Sequence, residues 1–514
     1  MSHEARLGPL HEAATDAIEQ AMALVPRLWA RDHTVWSEDP TEITDRLGWL
    51  DAPERAQDRI ADLEQLAADV AADGVTDVLL VGMGGSSLWP EVLATSVGSA
   101  SGAPRLRVVD STDPAAVLAA ERELPWATTL LVPASKSGGT IETLSHLDRF
   151  LERLQEAHGS AAGRFVLPIT DPGSKLDVRA SADGFRGVVH GQSDVGGRFS
   201  ALTEFGLLHA ALLGLDLDEH LAPAREQLAI SRSTDPSVNA PAVLGAIMAA
   251  AATRGRDKLT LLLPASVASF GAWIEQLVAE STGKHGVGLV PVLGEDPTNA
   301  TFGHDRLVVA FGEQPVVREL AAAGVPTVVL PEAGPDDLPG EVVRFEVATA
   351  IAGALLGVNP FDQPDVAAAK AATERALSSD EDLPPTTTPD PVLGTVAPGD
   401  VIALLGFVEP GSVDEARLHQ AADGLRVAHE VPVTVGIGPR YLHSTGQLHK
   451  GGSDRAVFLL AVGDDPQDAS IPGRDYGFSR LKRAQAAGDL RALTDADRRV
   501  AHVTLDALDA LGSS

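Results

Sequence analysis

Short apolar runs alternating with helical stretches constrain this chain more than any other feature. The first series is Asp77 to Val81, Leu106 to Val109, Thr129 to Val132, Phe165 to Ile169 and Arg186 to His190. Runs this short and this continuously apolar suit strands buried on both faces, and the helices between them supply the crossovers that parallel pairing requires. After a helical region the pattern restarts at Leu259 to Leu263, Val287 to Val292, Arg306 to Phe311, Thr327 to Leu330 and Val342 to Val347. A third, smaller series is Val401 to Phe407, Val431 to Gly436, Ala456 to Val462 and Val500 to Leu505. The expected fold class is α/β: two doubly wound, mostly parallel units and a C-terminal α/β segment, preceded by a helical cap. The boundaries read as 1–72 for the cap, 73–235 and 236–379 for the two larger units, 380–391 for a Pro-, Thr- and acid-rich linker, and 392–514 for the last segment. At 514 residues there is ample length for several cores.

Charge narrows the function classes. A formal net charge of −32 argues against nucleic acid or an anionic membrane as partner. An anionic small molecule would meet the same adverse field, so its site must carry local positive groups. Lysine is scarce, seven residues among 40 basic ones, which makes each informative. There are no cysteines, which excludes disulfides, iron–sulfur clusters and thiol catalysis. The acidic, amphipathic start lacks the form of an export signal, and no apolar run reaches the length of a membrane span. A cytoplasmic protein is the expectation.

Three glycine- and hydroxyl-rich turns follow strands of the first unit. Val81-Gly-Met-Gly-Gly-Ser-Ser87 matches the dinucleotide fingerprint only in part, because Ser87 stands where its last glycine belongs. Ser135-Lys-Ser-Gly-Gly-Thr140 lies two strands later. Strand carboxyl ends are where open α/β sheets bind ligands, and two such loops with free N–H groups, hydroxyls and one lysine could converge on a single phosphate monoester. No loop for a nucleoside triphosphate is present. Gly196-Gly-Arg-Phe-Ser200 then brings Arg198 on a flexible turn, placed to stabilise an oxyanion. In the second unit Gln276 and Glu280 lie four apart on one helical face, and Gln363 and Lys370 lie seven apart after Asn359-Pro-Phe-Asp.

In this order the motifs resemble the phosphoglucose isomerase family over about residues 70 to 375. Residues 440–452 and 471–485 are similar to the isomerase half of fused transaldolase and phosphoglucose isomerase proteins. The resemblance implies two sugar isomerase (SIS, flavodoxin-like) domains and interconversion of glucose 6-phosphate and fructose 6-phosphate through a cis-enediolate, without metal, nucleotide or other cofactor. On the matching positions, Gly85, Ser86, Ser135, Lys136, Ser137 and Thr140 would hold the phosphate. Glu280 would be the base, Arg198 the enediolate's cation, and Gln276, Gln363 and Lys370 would line the sugar. The family's ring-opening histidine has no recognisable motif after Glu280; His304, His443 and His449 are the alternatives. The loop departs from the family pattern at Ser137, Gly138 and Gly139, and the helix end at Thr282. Two other readings stand beside the first: an isomerase that also takes mannose 6-phosphate, and a non-catalytic sugar-phosphate sensor. A homodimer is implied by the family.

Overall fold

The computed structural model describes residues 4–298, 302–378 and 383–512, with the side chains of residues 366–371 outside the described set. The chain opens with strand β1 (Glu4–Arg6) and the helix His11–Trp29. It then builds the first sheet from β2 (Asp77–Gly82), β3 (Arg105–Val109), β4 (Thr129–Ala134), β5 (Ile169–Thr170) and β6 (Val189–His190). Their order is β3-β2-β4-β5-β6, all parallel. Every residue of β2 and of β4 is buried, as a strand covered by helices on both faces must be. The chain steps from β2 to β3 on one side and continues with β4 on the other. That reversal leaves a crevice at the carboxyl ends of β2 and β4. Gly82 is paired with Ala134, so the two loops leave the sheet side by side.

The second sheet holds β7 (Lys258–Leu262), β8 (Val290–Val292), β9 (Arg306–Phe311) and β10 (Thr327–Leu330), parallel, in the order β8-β7-β9-β10. Its edge beyond β10 is taken by β1, antiparallel. The strand expected at Val342 to Val347 is instead the middle of the helix Leu338–Leu356. That helix is buried on all sides from Leu338 to Gly353, so its apolar run has no helical period to distinguish it from a buried strand. The N-terminal segment is helical apart from β1, and it is not peripheral: Ala14, Ala21, Val25 and Leu28 are buried in one continuous core with strands of both sheets. Trp36 ties it further by donating its indole N–H to the Ala350 carbonyl at 2.9 Å.

The third sheet consists of β11 (Val401–Phe407), β12 (Val433–Ile437), β13 (Ala456–Val462) and β14 (Arg499–Val503), all parallel, in the order β12-β11-β13-β14. The helix Phe478–Asp495 docks this unit onto the first, burying Phe478 and Leu481 with Leu147 and Phe150. At the same junction the fully buried Lys482 ammonium donates to Asp113 at 2.9 Å and to Asp465.

One buried group works against this packing. Glu346, 2% exposed, lies inside the helix Leu338–Leu356 with one carboxyl oxygen lacking a hydrogen-bond partner among the described residues. Burial pushes its pKa well above the usual carboxylate range. The unfolded chain therefore releases this proton at lower pH than the folded one, and stability is lost as pH rises above the ordinary glutamate value. Glu346→Gln is expected to stabilise the protein on the order of 1–3 kcal/mol at pH 8 and by much less at pH 5. Denaturant melts at the two pH values measure it; an equal effect at both would refute the cause given.

Candidate active site

The crevice at the carboxyl ends of β2 and β4 opens into a cleft of about 360 Å³. Backbone contacts set its geometry first. Gly84 has φ +56°, and a Cβ on Gly85 would stand 1.9 Å from the Gly197 carbonyl oxygen. The two turns thus meet main chain to main chain, which only glycine permits. Across that contact Arg198 is delivered into the cleft on the short turn Gly197–Phe199. Phe199 anchors the turn, its ring 5.1 Å from Trp49 and 5.4 Å from Phe361.

Arg198 is buried, with every branch of its guanidinium engaged. Nε donates to Ser281 Oγ at 2.9 Å, Nη2 to the carbonyls of Pro360 and Asp362, and Nη1 to Gln363 Oε1 at 3.5 Å. Nη1 also stands 3.6 Å from Glu280 Oε1. Glu280 is 5% exposed, in the last turns of the helix Phe270–Thr282. One turn earlier Gln276 donates to its other oxygen at 3.2 Å and to the His443 carbonyl at 2.8 Å.

The hydroxyl loop lines the same cleft through Ser135, Ser137 and Thr140, together with Ser86. Ser135 and Thr140 share a hydrogen bond of 2.8 Å. Gly138 has φ +65° and packs so closely on Ser174 that a Cβ would lie 2.6 Å from its hydroxyl. Lys136 is already engaged: Nζ donates to Asp171, which also lines the cleft, at 2.7 and 2.9 Å and to the Gln192 carbonyl at 2.7 Å.

The third unit contributes a histidine. The turn Arg440–His443, after β12, places the His443 imidazole Nε2 2.9 Å from Glu142 Oε1. Glu142 also accepts from Gln485 Nε2 at 2.7 Å, and Gln485 accepts from Thr112 Oγ1 at 2.6 Å. A carboxylate accepts only, so Nε2 carries the proton of this bond and Nδ1 holds the free lone pair of the neutral ring.

The other two histidines lie elsewhere. His304 is exposed and precedes the amino end of β9, on a separate cleft with Asp257 and Arg455. Its distance along the chain from Glu280 carried no information about which end of the sheet it occupies. His449 is buried against Phe458, ring centroids 5.2 Å apart, and burial holds its pKa well below the usual value. Gln363 lines the cleft. Lys370 is on the helix Pro364–Ser378, but its side chain is outside the described residues.

Sequence reasoning passed over several members of this site. Glu142 follows Thr140 by two residues, and only the fold shows that it faces a histidine 301 residues away. Lys284 closes the motif after Glu280; it donates to Asp362 Oδ1 at 2.7 Å and to the Asn359 carbonyl, beneath the loop that holds Arg198. Glu42 and Arg46, from the N-terminal segment, also line the cleft.

The model of the phosphoglucose isomerase family matches residues 58–303. A glucose-6-phosphate isomerase of Rubrobacter xylanophilus is 30% identical over 407 residues, covering 68% of this chain and 91% of that protein. This chain belongs to the phosphoglucose isomerase family. A second such relative, from Citrifermentans bemidjiense, is 36% identical over 265 residues, 46% of this chain and 48% of its own length. Among solved structures, a hypothetical protein from Thermus thermophilus superimposes with a TM-score of 0.63 at 26% identity, covering 73% of this chain and 100% of its own. The family match includes the phosphate-type loops, Arg198 and Glu280, and stops short of Gln363 and His443.

Lys284 gives this site a pH signature. Burial, reinforced by the Arg198 charge and opposed by Asp362, pushes its ammonium down to about 7. The penalty for burying the charged form is full below that pH and fades as pH climbs toward the ordinary lysine value. Stability from this group therefore rises across the window, by up to about 1.4 kcal/mol per pH unit. Lys284→Met is expected to flatten that rise between pH 7 and 9 in denaturant titrations. A variant whose slope matches the parent would show that the lysine does not titrate there.

Proposed function

We propose that this protein interconverts glucose 6-phosphate and fructose 6-phosphate. The observation that carries the reading is the buried pair of Glu280 and Arg198, 3.6 Å apart, in a cleft that is also lined with the hydroxyls of Ser86, Ser135, Ser137 and Thr140. Moving a proton between C2 and C1 of an open sugar needs one carboxylate at the carbon and a fixed cation at the oxygen that becomes charged. Glu280 takes the proton from C2 and returns it to C1, and the reverse. Arg198, immobilised by its carbonyl and hydroxyl partners, stabilises the cis-enediolate without reorganising. Gln276 and Gln363 orient the sugar hydroxyls together with Lys370, and Gly85, Ser86, Ser135, Lys136, Ser137 and Thr140 seat the phosphate.

Ring opening is assigned to His443. Its Nδ1 takes the proton of the anomeric hydroxyl and delivers it to the ring oxygen as the ring C–O bond breaks, while Glu142 fixes the tautomer and stabilises the transient imidazolium. Retention of both a base and an oxyanion cation counts against a sensor that only binds. Location in the cytoplasm and assembly as a homodimer belong to the same proposal and rest on the family resemblance; light scattering on the purified chain tests the latter.

Glu280→Gln is expected to lower turnover of fructose 6-phosphate by about 10²–10⁴-fold and to abolish exchange of the C1 or C2 proton with solvent. Undiminished turnover, or no product from the parent in a coupled assay, would sink the mechanism. His443→Gln is expected to slow cyclic substrate while sparing an analogue that lacks the ring-closing hydroxyl. Equal losses on both would remove His443 from ring opening.

A further inference from the structure

We propose that Arg46, on the N-terminal segment, supplies the cation that receives the phosphate dianion of the substrate. This rests on the sugar-phosphate reading above and departs from the assignment of that charge to Lys136. An ammonium has three N–H donors. All three of Lys136 are taken, two by the Asp171 carboxylate and one by the Gln192 carbonyl. Burial pulls the Lys136 pKa down against the pull of Asp171.

The remaining cations described in the cleft are no freer. Arg198 is committed to Ser281, the carbonyls of residues 360 and 362, and Glu280. Lys284 is fully buried beneath it. Arg46 differs in kind. It lines the same cleft as Ser135, Lys136 and Ser137, its side chain is 25% exposed, and its charged partners are surface groups: Asp45 at 2.7 Å, 60% exposed, and Glu42 at 3.7 Å, 47% exposed. Exposed ion pairs of this kind contribute little, so exchanging them for a phosphate costs little. A guanidinium on a phosphate can then make two parallel charge-assisted bonds.

The segment is also held in place. Leu47 bridges Val195, Gly48 N–H donates to the Asp194 carbonyl at 2.8 Å, and Arg55 pairs with Asp194 at 3.2 Å. Arg46 is thereby fixed against the loop that runs from Gln192 to Arg198. The aliphatic stem passes over it, with Cδ 4.0 Å from where a Cβ on Gly196 would stand.

The test compares Arg46→Gln with the parent in two measurements: KM and kcat for fructose 6-phosphate, and the dissociation constant of inorganic phosphate by calorimetry. Both KM and the phosphate constant are expected to rise roughly tenfold, the loss of one charge-assisted contact, with a much smaller change in kcat and partial recovery in Arg46→Lys. Glu42→Gln, which releases Arg46 from a competing carboxylate, is expected to shift the phosphate constant the other way. Values within twofold of the parent in Arg46→Gln, with a thermal melt showing it folded, would overturn the proposal. If Arg46→Gln does not fold, an unchanged or weakened phosphate affinity in Glu42→Gln would do so. Parent turnover, read in the same assay, tests the isomerase reading separately from the phosphate contact.

Discussion

The buried guanidinium of Arg198 is the interaction on which the rest of the site depends. It lies where separate pieces of chain meet: the turn after Gly196, Ser281 and Glu280 on the helix Phe270–Thr282, and the carbonyls of residues 360 and 362. A charge removed from water is tolerated only when its donors are satisfied and an opposite charge is near. Here both conditions are met by groups of the second unit, while the arginine itself comes from the first. Arg198 thereby joins the two units, and the Lys284–Asp362 pair braces the loop whose carbonyls hold it.

The third unit is drawn in by a similar logic at a second point. Its helix Phe478–Asp495 buries Lys482 against Asp113 of the first unit, and from the same helix Gln485 reaches Glu142. Glu142 in turn holds His443. The docking surface of the C-terminal segment and the polar chain that orients its histidine are therefore continuous.

Much of the fold was legible in the sequence. The runs around β2, β4, β7, β9, β11 and β13 are short, apolar and bounded by turns, and they became the buried strands of three sheets that are parallel apart from β1. The same criterion misread Val342 to Val347, because a helix buried on every side shows no period. β1 was invisible for the opposite reason: three residues carry too little pattern, and only the vacant edge of β10 makes them a strand. Gly85, Ser86, Ser135, Thr140, Arg198, Gln276 and Glu280, which local turn chemistry and helical spacing single out, all line the cleft. Glu142, Asp171 and Arg46 were not legible, since their roles come from partners or walls far off in sequence.

The sequence by itself determined that this chain makes mostly parallel α/β sheets and which glycine-rich loops follow their strands, and it put Arg198 on such a turn and Glu280 on a helix. Periodicity, glycine turns and side-chain chemistry are local properties, readable one stretch at a time. Only the tertiary structure decided which histidine enters the cleft and that the lysine of the phosphate-type loop is already occupied. Those outcomes depend on which loops the packing of three sheets brings within hydrogen-bonding distance, and no local pattern encodes that distance.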